Sequence, residues 1–231
     1  MAFDYQKFRE RYRSDISPSY NGWLHMLVVA ITGITVIAYS LSQVAAPEVS
    51  ELLVVPLTLI AVNFAEYAAH RWMGHRKGKN RLARLFYSRH SGDHHSFFVG
   101  AAMPAESVRD WRVVLFPAYL IFAFLIGLII PLGGLLVYFD QHNIAYLYAA
   151  SGIFGYLLYE VMHFSYHLPK GSFVERTPGW KHLRRLHLLH HDRSRMAGKN
   201  FNITLPVFDV LLNTLYWKPE DTEISSEKTS S

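Results

Sequence analysis

The sequence predicts an all-α integral membrane protein, with four transmembrane helices and a cytosolic helical cap carrying a histidine-rich di-metal site. Three observations predict it. Four long apolar stretches run through a chain of 231 residues. Every lysine and arginine falls on one side of the alternation that these stretches define. Ten of the 13 histidines gather in four tight groups beside the same stretches. A chain of this length is one domain. Its parts are a cytosolic N-terminal segment (1–22), the membrane-embedded domain (23–217) and a polar tail (218–231) without aromatic residues, expected to be disordered.

The four stretches carry the fold. Residues 23–44 contain no Lys, Arg, Asp or Glu, and 52–69 are apolar except for Asn63 and Glu66. Residues 113–139 are uncharged and punctuated by Pro117 and Pro131; 144–159 are uncharged and run on into the third histidine group. A bilayer core about 30 Å thick needs about 20 apolar helical residues, with about 17 at the low end. The first and third stretches pass easily. The second and fourth are short unless polar residues at their ends face protein.

Charge sets the orientation. All 23 Lys and Arg lie before the first stretch, between the second and third (with Arg71 at the membrane edge) or after the fourth. Loops 43–51 and 140–143 contain none. The positive-inside rule therefore puts both termini and the central basic loop in the cytoplasm. The compartment is the endoplasmic reticulum in a eukaryote and the cytoplasmic membrane in a bacterium. The net charge of +5 belongs to this face and reads as topology and contact with anionic lipid, not nucleic-acid binding. The first twenty residues mix both signs of charge and no small-residue cleavage site follows, so the first stretch reads as a retained anchor. There is no cysteine, which excludes disulfides, thiolate ligands and iron–sulfur clusters built by this chain.

The histidine groups are His70/His75, His90/His94/His95, His163/His167 and His187/His190/His191. The inferred topology brings all ten to one membrane face. His163/His167, His90/His94 and His187/His191 are i,i+4 and share a helix face, and His190 extends the last. His70 and His75, five apart, would splay by about 140° on an ideal helix. They need a helix end or a distorted turn, which Gly74 permits. Adjacent histidines point apart, so each of the doublets His94/His95 and His190/His191 reaches two different metals, favouring a two-metal centre. An all-histidine set disfavours structural zinc. Imidazole suits iron, copper, nickel and zinc alike, so spacing does not name the metal. His25 and His142 read as core or surface residues, and His182 as supporting or interfacial. Glu66 (i,i+4 from His70) and Glu160 (i,i+3 from His163) sit where an unpaired charge is costly. Accepting N–H bonds from metal-bound imidazoles would account for them. Asp93 and Asp192 flank other groups and read either as the same support or as exposed loop charges.

Written as H-x4-H, H-x3-HH, H-x3-H and H-x2-HH, with four spans, the chain resembles the fatty acid hydroxylase/sterol desaturase superfamily. It looks most like the catalytic domain of fatty acid 2-hydroxylases, from the second span to Trp217. The matching stretches are EYAAHRWMGH, HSGDHH, YEVMHFSYH, LRRLHLLHH and the closing NFNITLPVFDVLLNT (200–214). The resemblance implies two iron ions (or zinc in a purified form) held by all ten clustered histidines, activating O₂ to attack an unactivated C–H bond. It implies a lipid drawn from the bilayer between spans two and four, its head group near the basic face. The aromatic residues of 159–166 would line that route or simply pack beside it. With no room for a fused cytochrome b5, electrons would arrive in trans from a cytochrome b5 or ferredoxin type of carrier. Hydroxylation of a long acyl chain, at carbon 2 of a free or amide-linked fatty acid, is the favoured reaction. Sterol or acyl desaturation, sterol C-4 oxidation and carotenoid hydroxylation stay open.

Two departures stand out. The second box has one residue more than the usual H-x2-HH, which on a regular helix turns His90 by about 100° relative to the doublet. Asn202 stands where many relatives have Gly. Two other classes compete. A histidine-based metal transporter would carry ionisable residues at mid-membrane depth, whereas these histidines gather at one face. A zinc hydrolase would carry a motif such as H-E-x-x-H, which is absent.

Overall fold

The computed structural model describes residues 3–100 and 102–217, so the 218–231 tail lies outside the described residues. Among these the regular structure is entirely helical. Helix α1 (Tyr5–Asp15) starts at Asp4, whose side chain accepts the Lys7 N–H at 3.0 Å. Helix α2 (Gly22–Ser42) starts in the same way at Asn21, which accepts the Leu24 N–H at 3.1 Å. Then follow α3 (Val49–Gly74), α4 (Arg81–Tyr87), α5 (Leu120–Tyr138), α6 (His142–Tyr166), α7 (Trp180–His190) and the single-turn-and-a-half α8 (Val207–Leu211). Helices α2, α3, α5 and α6 are long and apolar enough to cross a bilayer. The shortest, α5 with 19 residues, reaches about 28 Å at 1.5 Å per residue. The chain is a multi-pass membrane protein.

The span boundaries correct the sequence reading. The second and fourth spans, which read as short, are the longest at 26 and 25 residues. They run on through His70 and His163 because these side chains are buried in protein and never meet lipid. The third span is shorter than its apolar run. At Leu115 the backbone turns extended (ψ 143°), Pro117 follows, and the helix begins only at Leu120. Residues 113–119 instead fold under the histidines.

Helix α6 is the central strut. It packs along α2 and α3 and against α5. Of its most apolar window 56% is buried, against 11–22% in the other three spans, whose Leu, Ile and Phe side chains point outward. With lipid as apolar as the helices, association depends on close fit. A Cβ at Gly155 of α6 would stand 2.9 Å from Cγ1 of Val62 on α3, so only glycine lets these two helices approach as they do. On the polar side α1 closes the cap. Arg13 makes two 2.8 Å bonds to the buried Asp110 and a third to Glu106, while buried Arg9 pairs with Glu106 at 3.1 Å. Burial alone would raise the Asp110 carboxyl. The Arg13 hydrogen bonds and the Glu106 and Ser107 N–H groups outweigh it and hold it below the usual range. Phe8 and Tyr12 of α1 then pack on the Phe97/Phe98/Met103/Val113/Val114 core.

Candidate metal centre

Four segments bring histidines to one end of the bundle, and two of them do so through turns that are not α-helical. At the end of α3 the His75 N–H bonds the His70 carbonyl at 3.2 Å, an i→i+5 step spanning Ala69–Gly74. After α4 the same pattern spans Ser88–His94, where the His95 N–H reaches the His90 carbonyl. Such π turns put residues five apart on one face and are frequent at functional sites. The distorted turn expected between His70 and His75 is therefore present. Gly74 matters here because a Cβ at this position would lie 2.9 Å from Cδ2 of His90. The i,i+4 reading of His90/His94 is corrected by the second turn, which pairs His90 with His95. The extra residue of the H-x3-HH box is absorbed in that turn.

The rings assemble as two clusters. In the first, His75, His90, His95 and His190 form a closed ring, with neighbouring Nε2 atoms 3.0–3.1 Å apart. His70 completes it, with ring centroids 4.4 Å from those of His90 and His190. In the second, His163, His94, His191, His187 and His167 follow one another with Nε2 atoms 3.0–3.2 Å apart. Each doublet divides between the clusters: His95 and His190 enter the first, His94 and His191 the second. His187 and His191 share a cluster as their spacing suggests. His190, read as extending their face, belongs to the other.

Hydrogen bonding decides what these contacts are. The Nδ1–H groups of His70, His94, His167, His190 and His191 donate to the carbonyls of Phe201, Val113, Met103, Lys199 and Phe98 at 2.5–3.2 Å. The Ser91 hydroxyl, donating to the Gly74 carbonyl, accepts from His75 Nδ1 at 3.2 Å. A carbonyl only accepts, so each ring carries its proton on Nδ1, and a neutral ring presents a bare lone pair at Nε2. His94 and His191 thus face each other at 3.1 Å with no proton to share. Protonation would not help. Burial, reinforced by neighbouring imidazoles, keeps His94, His95, His187, His190 and His191 well below the usual histidine pKa. Burial likewise holds His75 at about 2 and His167 at about 3. Facing lone pairs in a dry site call for cations. Adjacent ligands at right angles about an ion, at a metal–nitrogen distance of about 2.1 Å, stand about 3.0 Å apart, which is the spacing found. The donor set fits two metal ions.

The carboxylates expected to support these rings do other work. Glu66 accepts hydrogen bonds from Asn63, Asn202, Thr204 and the backbone N–H groups of Ile203 and Thr204. Glu160 accepts the Phe116 N–H. Asp192 closes a local turn on Ser194 and Arg195. Asp93, half-buried, makes no hydrogen bond to a histidine among the described residues. Backbone carbonyls take the role that the sequence reading gave to acids. Glu66 supports the site indirectly, by tying α3 to the 200–204 loop whose Phe201 carbonyl holds His70. The same loop is braced by Asn202 and Asp209. The Asn202 side chain donates to Glu66 and accepts from Phe208 and Asp209; Asp209 accepts from Phe201, Asn202 and Thr214. In the sequence, NFNITLPVFDVLLNT shows no role for these residues. Its density of Asn, Thr and Asp in an apolar setting was the available signal. The remaining histidines stand apart: His25 is buried between Tyr20 and the Phe116 carbonyl, while His142 and His182 are exposed.

A cavity of about 420 Å³ opens onto the clusters between α3, α5 and α6. His70, His90, His94 and His163 form its polar end, and Val62, Leu85, Phe86, Leu115, Ala123 and Phe124 are among its apolar walls. Tyr159 lines it, stacked on Phe116 with centroids 5.0 Å apart, whereas Tyr166 packs away from it on the Ile203 carbonyl.

Comparison with known proteins agrees with this architecture. Two dihydroceramide fatty acyl 2-hydroxylases of Arabidopsis thaliana are 24% and 25% identical to the chain, covering 87% and 81% of it and 87% and 72% of themselves. A fatty acid 2-hydroxylase of Mus musculus is 26% identical over 69% of the chain and 38% of its own length. The solved structure of full-length scs7p, with only the hydroxylase domain visible, shares the fold at a TM-score of 0.58 and 18% identity, over 87% of this chain and 68% of that one. The fatty acid hydroxylase family pattern matches residues 55–214, taking in all four histidine groups and the cavity between them, and the chain belongs to that family.

Proposed function

We propose that this chain is a membrane di-iron oxygenase that hydroxylates an acyl chain of a lipid at the carbon next to the carbonyl. The observation that carries the reading is the pairing of two histidine clusters, the second extended to five by His191, with an apolar cavity that ends on four of the rings. His70, His75, His90, His95 and His190 would hold one iron, and His94, His163, His167, His187 and His191 the other. When bound, the two irons supply the oxidising power for the C–H bond, using O₂ and electrons from a separate carrier protein. The chain's own residues do the rest. Carbonyls on the Nδ1 atoms of His70, His94, His167, His190 and His191 keep these five rings aimed with a free lone pair at Nε2, so no proton is released from them when an ion enters. The apolar walls align an alkyl chain and exclude water, which protects a strong oxidant from side reactions. Each ion would be held by histidine Nε2 atoms alone, which bring no charge of their own to the site. The positive-inside bias supports a centre on the cytosolic face.

The names of the plant and mouse relatives support acyl 2-hydroxylation. Expression in a lipid-producing host, beside a His190→Ala/His191→Ala variant, tests it by mass spectrometry of extracted lipids. A lipid gaining one oxygen with the wild type alone is the expected result. A lipid losing two hydrogens would replace hydroxylation by desaturation, and purified wild-type protein that binds no metal would sink both.

A further inference from the structure

A second cavity, of about 510 Å³, lies on the polar side of the first. Tyr12, Arg89, Asp93 and Arg112 line both and form the neck between them. The polar cavity is completed by Asp15, Ser17, Ser19 and Tyr20. The buried arginines of the cap are paired: Arg9 with Glu106 and Asp110, Arg184 with Glu175, whereas Arg89 and Arg112 at the neck are half-buried. Arg112 has no such pairing. Its Nη1 is buried without a hydrogen-bond partner, and among the described residues neither Arg112 nor Arg89 forms an ion pair. A buried guanidinium N–H without an acceptor is costly, and an oxyanion is the ligand that a guanidinium fork matches best.

From this geometry we infer that Arg112 and Arg89 form a head-group site for a singly charged oxyanion, the carboxylate of a fatty acid or the phosphodiester of a phospholipid. Asp15 and Asp93 line the same space and offset the two cations, which disfavours a multiply charged head. The position also fixes register. Arg112 precedes Val113, whose carbonyl orients His94, and Arg89 precedes His90. A head held here lays its first chain carbons over the histidine end of the apolar cavity. The inference rests on the acyl-lipid reading of that cavity and adds the class of head group.

Binding, not turnover, tests it. Metal-loaded protein in a neutral detergent is titrated with radiolabelled palmitic acid and with radiolabelled methyl palmitate, as wild type, Arg112→Met, Arg112→Lys and Arg89→Gln. The wild type is expected to bind the acid at least about tenfold tighter than the ester, a difference of about 1.4 kcal/mol. Arg112→Met should remove the preference by weakening the acid while leaving the ester unchanged. Arg112→Lys should restore part of it, and Arg89→Gln should reduce it. Equal binding of acid and ester by the wild type would overturn the site. So would Arg112→Met weakening both alike, which marks a packing role. Displacement of palmitate by lysophosphatidylglycerol from wild type but not from Arg112→Met identifies a phospholipid head. Failure to displace identifies the free carboxylate. Arginine-dependent binding without any oxygenated product would refute the hydroxylase reading and leave the head-group site standing.

Discussion

Neighbouring histidines should govern different metal ions. His190 and His191 are adjacent in sequence, yet the first shares its cluster with His75 and His95 and the second with His94 and His187. Binding of a four-ligand structural zinc is worth about 10–16 kcal/mol, or about 3 kcal/mol per ligand. At about 1.4 kcal/mol per decade that weakens one ion about a hundredfold for each histidine lost. Replacing both His95 and His190 with alanine then weakens one ion about ten-thousandfold and leaves the other near the wild-type affinity. The His190→Ala/His191→Ala protein instead weakens both ions about a hundredfold each. Metal analysis after dialysis against stepped chelator concentrations separates the two patterns. At a step that strips only a ten-thousandfold-weakened ion, the His95/His190 variant retains one metal per chain and the His190/His191 variant retains two. If the adjacent pair loses a single ion and spares the other, the division of the doublets is refuted.

Deleting Gly92 should turn the second π turn into an ordinary helical turn with His90 and His95 four apart, keeping both metals; inserting alanine after Gly92 should instead cost the first-cluster ion about a hundredfold. Metal content decides, and loss of metal from the deletion variant would show that the extra residue is needed rather than absorbed. Glu66→Leu takes away the acceptor of five hydrogen bonds, leaves the buried Ile203 and Thr204 N–H groups without a partner, and should destabilise the fold by about 3 kcal/mol or more, read as a lower melting temperature. Because Glu66 braces the loop that holds His70, chelators should then strip the first cluster before the second, and simultaneous release would count against that bracing. Metal-free protein should lose stability as pH falls below about 6.5, the ordinary histidine value. His75 and His167 have folded pKa values of about 2 and about 3, so below 6.5 the unfolded chain binds more protons and the loss continues down to those values. A melting temperature flat from pH 7.5 to 5 would contradict the burial of these rings.

The membrane architecture and the identity of the gathered histidines were legible because both are carried by side-chain type. Charge-free runs mark the spans, and imidazoles at helical spacing mark one face. The division of His94/His95 and His190/His191 was legible for the same reason, since adjacent side chains on a helix must point apart. What escaped was set by the backbone. His90 cannot be paired with His95 by counting at 3.6 residues per turn, because the turn between them closes at i+5. Polarity points to Glu66, Glu160, Asp93 and Asp192 as partners of Nδ1, but five of the acceptors are carbonyls, and every residue has one. The true span ends escaped as well. His70 and Glu160 look like membrane boundaries by polarity, and only tertiary burial shows that the helices continue past them.

Carbonyl anchoring has a consequence for how such a site drifts over time. The groups that fix ring orientation belong to Phe98, Met103, Val113, Lys199 and Phe201, whose side chains are irrelevant to the bond they make. Any of these positions can change identity without touching the protonation pattern of the centre, provided the main chain keeps its path. The geometry of the centre therefore depends on the course of the main chain at these positions and on the few residues that hold that course, such as Asn202 and Asp209. Phe98, Met103, Val113 and Phe201 are buried core side chains as well, so a substitution scan would register them through lost packing and not through loss of the hydrogen bond to the ring.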